Sequence, residues 1–333
     1  MNRDFLTIVA ELNSANKVLV VGHIMPDGDD ISSVLSVTLG LKKLGKEVFA
    51  GIDWRIPWYF YEFEETNIIK TFDDIKSSGF VPDVVLVVDA SSPDRIGRFQ
   101  EFLGSVPLMV IDHHGTNTLF GNINWVDTKF GSTAQMVYRL NTELGVEYDE
   151  RLATINLMGI ATDTGFFRYS NADEIVFSDA TKLVFLGGKV YLVSRLFENK
   201  RIEQFKLLST MIEHLKMEAN GKIVYSYLSK EDYETNNCTE DDSGGFVGEL
   251  RSIQGTELAI FFSEYENSEV HISFRSKDWF DCSKLAVLLG GGGHPRAAGC
   301  TLKGDLSVIV EQVIREAKTM FVAQNKEIEK IGR

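Results

Sequence analysis

The sequence predicts an α/β protein with an N-terminal parallel-sheet domain and a smaller C-terminal α/β domain. Its 333 residues exceed the length that one ordinary core uses. The first half alternates apolar strand-like segments with amphipathic helix-like segments, which is typical of a parallel sheet covered by helices. In the second half the pattern changes to longer strand-like segments and one closing helix.

The first domain is predicted over residues 1–195 and begins with an amphipathic helix at 1–13. Asp4 and Glu11 in this helix argue against a signal peptide. The predicted strands span residues 17–22, 48–52, 84–89, 108–112 and 122–126. The predicted helices follow a period of 3.6 residues over 32–44, 132–144, 150–161 and 174–186.

A helical connector is predicted at residues 196–218, followed by the second domain at 219–325. The strands predicted in the second domain span residues 223–228, 257–264 and 269–276, and its closing helix spans 306–321.

The composition indicates a soluble globular chain, since 44% of the residues are hydrophobic and 25% are charged. No apolar stretch approaches the roughly 20 residues that span a bilayer, so no membrane association is expected. The three cysteines, Cys238, Cys282 and Cys300, are well separated and odd in number. They predict neither a disulfide framework nor a thiolate zinc site, and a reducing cytoplasmic location fits them.

The formal net charge is −14, and the chain has no run of Lys or Arg. A protein that tracks long nucleic acid presents a basic face that replaces the phosphate counterions. A long DNA or RNA track is therefore not expected. A small anion remains a suitable ligand where bound metal ions supply local positive charge.

Acidic and histidine side chains follow the ends of several predicted elements. They are His23, Asp27 and Asp29 after the first strand, Asp89, the triplet Asp112, His113 and His114, and Asp163 at the end of a helix. Ligands of open parallel sheets bind outside the carboxyl ends of the strands. We therefore expect these side chains to share one site.

Each of these residues alone has a plain structural explanation. An Asp after a strand commonly caps a helix, and Asp29 and Asp30 would complement the dipole of the next helix. Independent caps do not account for two adjacent histidines, His113 and His114, together with four carboxylates at one sheet edge. The combined pattern favours a functional site.

Charge counting favours two divalent metal ions at that site. Asp27, Asp29, Asp89 and Asp163 carry four negative charges when ionised, and two divalent ions neutralise them. Oxygen-rich ligands with few imidazoles favour Mn²⁺, with Mg²⁺, Co²⁺ or Fe²⁺ as alternatives. Two ions ~3.5–4 Å apart activate a water and stabilise the attacking and leaving oxygens of a phosphoryl displacement.

Five ordered motifs resemble those of the DHH phosphoesterases that carry a C-terminal DHHA1 domain. The motifs are HIMPDGD (23–29), VVDAS (87–91), DHHGTN (112–117), ATDTGFFRYSN (161–171) and GGGGHPRAAGC (290–300). The resemblance covers nearly the whole chain. It implies a metal-binding first domain and a substrate-binding second domain, with the active site in the cleft between them.

The resemblance also implies roles for individual residues. The ligands of one ion would be His23, Asp27 and Asp89. The ligands of the second ion would be Asp29, Asp89 as a bridge, His113 and Asp163. His114 would donate to the substrate phosphate, and Asp112 would orient His114.

In the second domain, the resemblance points to a strand end and a glycine-rich segment. Arg275 resembles the substrate-phosphate arginine of the family, and Ser276 next to it is also predicted to bind substrate. Four consecutive glycines expose backbone N–H groups and allow a nucleotide to approach closely. The substrate-binding residues predicted there are Gly291, Gly292, Gly293 and His294.

Within the family, the resemblance is to compact two-domain enzymes that act on short oligoribonucleotides and small nucleotides. These enzymes release nucleoside 5′-monophosphates, or convert 3′-phosphoadenosine-5′-phosphate (PAP) to AMP. The alternatives are a cyclic or linear dinucleotide phosphodiesterase, a polyphosphatase, or a nucleotide sensor without turnover. The intact set of ligands argues against a sensor, and a homodimer is left open.

Four positions depart from the usual motifs of the family. Asp30 stands where Ala is common, Ser32 where Gly is common, Gln135 where Glu is frequent, and Phe166 where a smaller residue is usual. None of them removes a predicted metal ligand, so activity is expected. Asp30 and Phe166 lie close to the site in sequence and bear on substrate preference.

Overall fold

The computed structural model describes residues 3–265 and 268–331 of the chain. These residues form two compact units that divide between Asn199 and Lys200. The units contain one six-stranded sheet each. An α/β architecture with two successive sheets is therefore confirmed. The domain boundaries near residues 195 and 219 and the cleft between the domains stay predictions.

The first sheet is entirely parallel. Its strands are β1 (Lys17–Val21), β2 (Glu47–Gly51), β3 (Ile69–Lys70), β4 (Val84–Val88), β5 (Leu108–Asp112) and β6 (Ile123–Val126). The spatial order is β3-β2-β1-β4-β5-β6. The chain leaves β1 toward one edge and returns through β4 toward the other, so the strand order reverses between β1 and β4.

Seven helices accompany this sheet in the described part of the first unit. They are α1 (Arg3–Ser14), α2 (Gly28–Lys43), α3 (Phe72–Ser77), α4 (Thr133–Glu143), α5 (Glu150–Asp163), α6 (Glu174–Phe185) and α7 (Val190–Glu198). Strand β4 is buried along its whole length, VVLVV, as a strand covered on both faces must be. The buried apolar side chains form separate clusters. One cluster includes Val18, Leu35 and Ile155, and another includes Leu19, Phe99 and Val110.

Two differences from the predicted elements affect the site. Helix α2 begins at Gly28 rather than at residue 32, because the Asp27 side chain caps it. Helix α5 extends to Asp163 rather than ending at residue 161. Asp29 and Asp30 therefore lie in the first turn of a helix, and Asp163 is the last residue of one.

The second sheet is mixed. Its strands are β7 (Lys216–Glu218), β8 (Ile223–Leu228), β9 (Leu258–Glu264), β10 (Glu269–Ser276), β11 (Gly292–His294) and β12 (Ala297–Lys303). The order is β11-β12-β10-β9-β8-β7, with β8 and β9 parallel and the other pairs antiparallel. The sequence did not predict β11 and β12, because their glycines interrupt the alternating pattern.

Five helices complete the described part of the second unit. They are α8 (Ile202–Glu213), α9 (Lys230–Thr235), α10 (Phe246–Ser252), α11 (Cys282–Leu288) and α12 (Leu306–Ile331). Helix α8 lies within the predicted connector, and its Leu207 and Met211 pack with Val224 of β8. Across the described residues, no helix is long and apolar enough to cross a membrane.

Candidate metal centre

The predicted ligands begin at the point where the strand order of the first sheet reverses. β1 and β4 are adjacent and parallel, so their carboxyl ends lie side by side. His23 follows β1, and Asp89 follows β4 directly. Nε2 of His23 lies 3.7 Å from Oδ2 of Asp89. The reversal point therefore brings together two residues 66 positions apart, as open α/β sheets do with their ligands.

The start of α2 places two more carboxylates at the same edge. Oδ1 of Asp27 accepts hydrogen bonds from the backbone N–H groups of Asp29 (3.0 Å) and Asp30 (3.1 Å). Burial alone would raise the pKa of Asp27, but the electrostatic interaction with His23 and these two donors outweigh burial and lower it. Asp27 thus serves as a helix cap and remains an anionic group at the site.

Asp29 is held against the start of another helix. Its Oδ2 accepts from the backbone N–H of Thr133 (2.7 Å), and its Oδ1 accepts from that of Ala134 (2.8 Å). These N–H groups have no partner inside α4, so a carboxylate satisfies them and favours the helix dipole. The hydroxyl of Thr133 donates to Oδ1 of Asp89 at 2.8 Å. One helix start therefore positions two predicted ligands.

His113 directs one ring nitrogen into three carboxylates. Its Nε2 lies 3.6 Å from Asp29 Oδ2, 3.8 Å from Asp89 Oδ1 and 3.4 Å from Asp163 Oδ2. Its Nδ1 donates to the carbonyl of Phe130 at 3.2 Å. Because a carbonyl only accepts, the proton sits on Nδ1, which leaves the Nε2 lone pair for a cation.

His23 is oriented in a similar way. Its Nδ1 lies 2.7 Å from the Ile24 carbonyl, and Nη2 of Arg95 lies 3.0 Å from the same nitrogen. Burial lowers the pKa of His23 to about 4, and the nearby Arg95 cation adds to that shift. The imidazole is therefore neutral at pH 7, as a metal ligand must be.

The carboxylates and the second imidazole show matching electrostatics. Burial raises the pKa values of Asp29 and Asp89 well above their usual range, and neighbouring carboxylates raise them further. Burial lowers the pKa of His113 to about 4, with a contribution from His114. Mutually repelling carboxylates beside neutral imidazoles fit divalent cations, whose binding removes the repulsion. The donor set present here therefore fits the predicted ions.

Two residues near the site have a strained backbone. Asp89 and Met25 both adopt left-handed conformations, with φ of 57° and 58°. A residue other than glycine held in that region costs on the order of 1–3 kcal/mol, and such residues cluster at functional sites.

Asp30 is a further candidate metal ligand, which the sequence analysis identified only as a departure from the usual family motif. It is fully buried, and Oδ1 accepts from the backbone N–H of His23 at 2.9 Å. Ligand atoms of His23, Asp30 and Asp89 all lie within 4.8 Å of one another. The signal in the sequence was a third Asp in "DGDD", which we interpreted as a charge for the helix dipole.

The structure accounts for two of the other departures. The buried hydroxyl of Ser32 donates to the Ile155 carbonyl at 2.7 Å and so ties α2 to α5. Gln135 accepts from the Gly131 N–H at 2.9 Å and donates to the buried Asp179 at 2.8 Å. A glutamate at position 135 would meet Asp179 with a like charge. Gln135 is therefore matched to its neighbour.

The residues predicted to bind substrate lie in the second unit. Arg275 lies near the end of β10, and its Nη1 donates to the Phe274 carbonyl at 2.9 Å. Ser276 is fully buried, and its hydroxyl donates to the Pro295 carbonyl at 3.2 Å. Arg296 donates to the Ser276 hydroxyl at 3.4 Å. Their contacts with substrate stay predictions.

The glycine-rich segment differs from the prediction that all four glycines expose their backbone N–H groups. The N–H groups of Gly290 and Gly291 donate to carbonyls of α11, at 3.1 and 2.8 Å, and so end that helix. Gly292 and Gly293 belong with His294 to β11, an edge strand paired with β12. Two of the four amides thus satisfy the helix end, and the expected exposure of backbone donors is restricted to the edge strand.

Comparison with known proteins defines the class. Residues 17–160 match the DHH family, N-terminal domain, and residues 220–325 match the DHHA1 domain. The chain is also 33% identical over 323 residues to a Thermus thermophilus relative, covering 94% of this chain and 93% of that one. The chain belongs to the DHH family, whose members are phosphoesterases, and the predicted resemblance is confirmed.

The Thermus thermophilus relative is named bifunctional oligoribonuclease and PAP phosphatase NrnA. A crystal structure of an exopolyphosphatase-related protein from Bacteroides fragilis has the same fold, with a TM-score of 0.85 and 23% identity over 98% of this chain and 97% of that one. RecJ of Thermus thermophilus, solved in complex with Mn²⁺, aligns with a TM-score of 0.56 and 13% identity over 96% of this chain and 55% of RecJ. Both structural matches support the fold.

Proposed function

We propose that this chain is a divalent-metal-dependent phosphoesterase of short oligoribonucleotides and PAP. It would release nucleoside 5′-monophosphates from the former and AMP from the latter. The observation that carries the proposal is the placement of His113 Nε2 within 3.4–3.8 Å of three carboxylates at the reversal point of a parallel sheet. The name of the 33% identical relative supports the choice of substrates.

Two ions fit the predicted division of ligands. His23, Asp27 and Asp89 would hold one ion. Asp29, Asp89, His113 and Asp163 would hold the other. Mn²⁺ is the proposed ion, with Mg²⁺, Co²⁺ or Fe²⁺ as alternatives, because the donors are mainly oxygen. Such a pair supplies Lewis acidity and an activated water for displacement at phosphorus.

The chain itself supplies orientation and protons. The Asp112 carboxylate lies 2.7 Å from Nδ1 of His114 and so orients the imidazole, whose Nε2 would face a phosphate oxygen of the substrate. His114 would donate as negative charge develops on that oxygen. In the second unit, Arg275 and the segment Gly291–Gly293 with His294 would hold the neighbouring phosphate and the terminal nucleotide. Ser276 would bind substrate beside Arg275.

The charge of the chain limits the length of the substrate. With a formal net charge of −14, the protein offers a long polyanion few favourable contacts outside the site. Affinity would come from the ions and a few local cations. We also propose a cytoplasmic location for the protein. Its three cysteines form no disulfide, as is usual in a reducing compartment.

A substrate panel tests this proposal. The full chain is stripped with EDTA, reloaded with Mn²⁺ and assayed on pApA, a tetranucleotide, a 20-mer, PAP, cyclic dinucleotides, polyphosphate and pyrophosphate. We expect di- to tetranucleotides and PAP to be hydrolysed, and the 20-mer to be slower at equal concentration of ends. Hydrolysis confined to pyrophosphate or polyphosphate would contradict the proposed substrates. Faster, processive digestion of the 20-mer would favour a long-strand exonuclease.

A further inference from the structure

One buried carboxylate oxygen at the proposed metal centre, Oδ2 of Asp30, has no role in the site as described so far. Asp30 lies in the first turn of α2 and is fully buried. Its Oδ1 accepts from the His23 backbone N–H, but its Oδ2 has no hydrogen-bond partner among the described residues. A buried carboxylate oxygen without a donor costs free energy, so its retention requires a compensating partner.

The position of Asp30 points to a cation as that partner. Ligand atoms of Asp30, His23 and Asp89 lie within 4.8 Å of one another. Atoms bound to one ion at about 2.0–2.2 Å lie roughly 3–4.4 Å apart, so a small inward movement would bring all three onto an ion. Asp27 and Asp29 accept hydrogen bonds from backbone N–H groups and Asp89 accepts from the Thr133 hydroxyl, whereas Oδ2 of Asp30 is available to a ligand.

The neighbouring backbone makes room for this carboxylate. A Cβ at Gly22 would lie 2.3 Å from Oδ1 of Asp30 and 2.6 Å from Oδ2. The end of β1 therefore admits the Asp30 side chain only because residue 22 has no side chain. The Asp30 carboxylate occupies the space that a side chain at residue 22 would take.

We propose that Asp30, through Oδ2, is an additional ligand of the ion that His23 and Asp89 would hold. This inference rests on the proposed function, since it assumes the two ions. It raises the number of carboxylates at the site from four to five. Arg95, whose Nη2 lies 3.0 Å from Nδ1 of His23, supplies the balancing positive charge. The consequence is a tighter hold on that ion than the motif ligands alone give.

Metal binding to the full chain provides the test. Wild type, Asp30→Asn and Asp30→Ala are stripped with EDTA and titrated with Mn²⁺ by calorimetry. Free Mn²⁺ and the spin-coupled pair are followed in parallel by electron paramagnetic resonance. Asp30→Asn keeps an acceptor for the His23 N–H and removes the charge. We expect it to weaken one of two Mn²⁺ sites by about 10- to 100-fold and to reduce the coupled-pair signal.

Ser33→Ala is the matched control. Ser33 lies on the same helix, is fully buried, and its hydroxyl has no hydrogen-bond partner within the described part of the chain. This variant should bind two ions with wild-type affinity. Melting in EDTA checks the fold of each variant. Asp30→Asn, which is nearly isosteric, carries the test if Asp30→Ala does not fold.

The outcomes separate the two levels of the proposal. Two ions bound by Asp30→Asn at wild-type affinity would overturn the role of Asp30 and leave the binuclear site intact. Fewer than two ions bound by wild type would overturn the binuclear site itself, and the role of Asp30 with it. Weakening of one site in Asp30→Asn, with Ser33→Ala unchanged, supports the assignment.

Discussion

Nδ1 of His114 lies 2.7 Å from Oδ1 of the fully buried Asp112. Burial alone would raise the pKa of Asp112, but the charge and hydrogen bond of His114 outweigh it and hold that pKa at about 2. Burial would lower the pKa of His114, but Asp112 outweighs it and raises that pKa above its usual value. The pair therefore keeps His114 protonated to a higher pH than an isolated imidazole would be.

Asp112→Asn should lower kcat by roughly 10- to 100-fold while two metal ions remain bound. Because Asp112 raises the pKa of His114, its loss lowers that pKa. A step that needs protonated His114 then fails at a lower pH, so the alkaline limb of the kcat–pH profile should move to lower pH. The profile and the metal content of both proteins provide the measurement. An unmoved limb would show that His114 does not act as the proton donor.

Asp89→Asn should abolish turnover and, without metal, should make the folded protein more stable than wild type. The pKa of Asp89 is raised in the folded protein, so its ionised form opposes folding and wild type loses stability as pH rises through that pKa. In EDTA at pH 8 the variant should melt at a higher temperature than wild type. Its free energy of unfolding should be larger by on the order of 1–2 kcal/mol. Asn is chosen because it tolerates the left-handed backbone at φ 57°.

With Mn²⁺ present, wild type should gain thermal stability and the Asp89→Asn variant should not, because ligand binding stabilises only the form that binds. The gap measured in EDTA should narrow from pH 8 to pH 5. A wild-type-like rise in melting temperature for Asp89→Asn on adding Mn²⁺ would rule out Asp89 as a bridge.

The contact between Gln135 and Asp179 predicts that substitutions at these two positions have non-additive effects on the free energy of unfolding. Gln135→Glu removes the donor to Asp179 and places a second carboxylate beside it, although Arg139 and Lys182 moderate the repulsion. The variant should lose about 2–4 kcal/mol of unfolding free energy. Adding Asp179→Asn should restore part of it, with a coupling energy on the order of 1–3 kcal/mol in urea unfolding. Strictly additive effects would mean that the two side chains do not interact.

Gly291→Ala should destabilise the second unit. A Cβ at this position would lie 2.1 Å from the Gly299 carbonyl oxygen and 2.5 Å from Cys300 Cβ, so backbone must move. We expect a loss of roughly 1–3 kcal/mol or more. Gly248→Ala in α10 is the control, since a Cβ there meets nothing within 4 Å, and it should be neutral or stabilising by up to about 1 kcal/mol. Equal stability of both variants would contradict the close approach.

Arg275→Ala should lower kcat/KM for a dinucleotide by roughly 10- to 150-fold, because a charge-assisted contact with phosphate is worth about 1.5–3 kcal/mol. Metal content should stay unchanged. Arg315→Ala removes the same charge from an exposed position on α12, and should leave kcat/KM within about twofold. Similar losses in both variants would indicate a general charge effect instead of a specific phosphate contact.

The sequence by itself determined the sheet that carries the site. Apolar runs such as VLVV and VVLVV, each followed by His or Asp, identify strand ends from local pattern alone. Because carboxyl ends of parallel strands share one edge, that pattern was enough to predict a common location for His23 and Asp89. The two-residue β3 was not predicted, because two residues carry no period.

Only the tertiary structure decided how the polar groups are divided among partners. Asp29 binds the amides of residues 133 and 134, Gln135 meets Asp179, and Asp30 turns toward His23 with one oxygen left over. The contacts of Asp29 and Gln135 join segments more than 40 positions apart. The local pattern of apolar residues does not predict such pairs. Asp30 lies only seven residues from His23, but its burial depends on the bare backbone at Gly22 and the packing of α2 on β1. Hydrogen bonds in a close-packed interior are assigned by three-dimensional proximity, which the order of residues alone does not state.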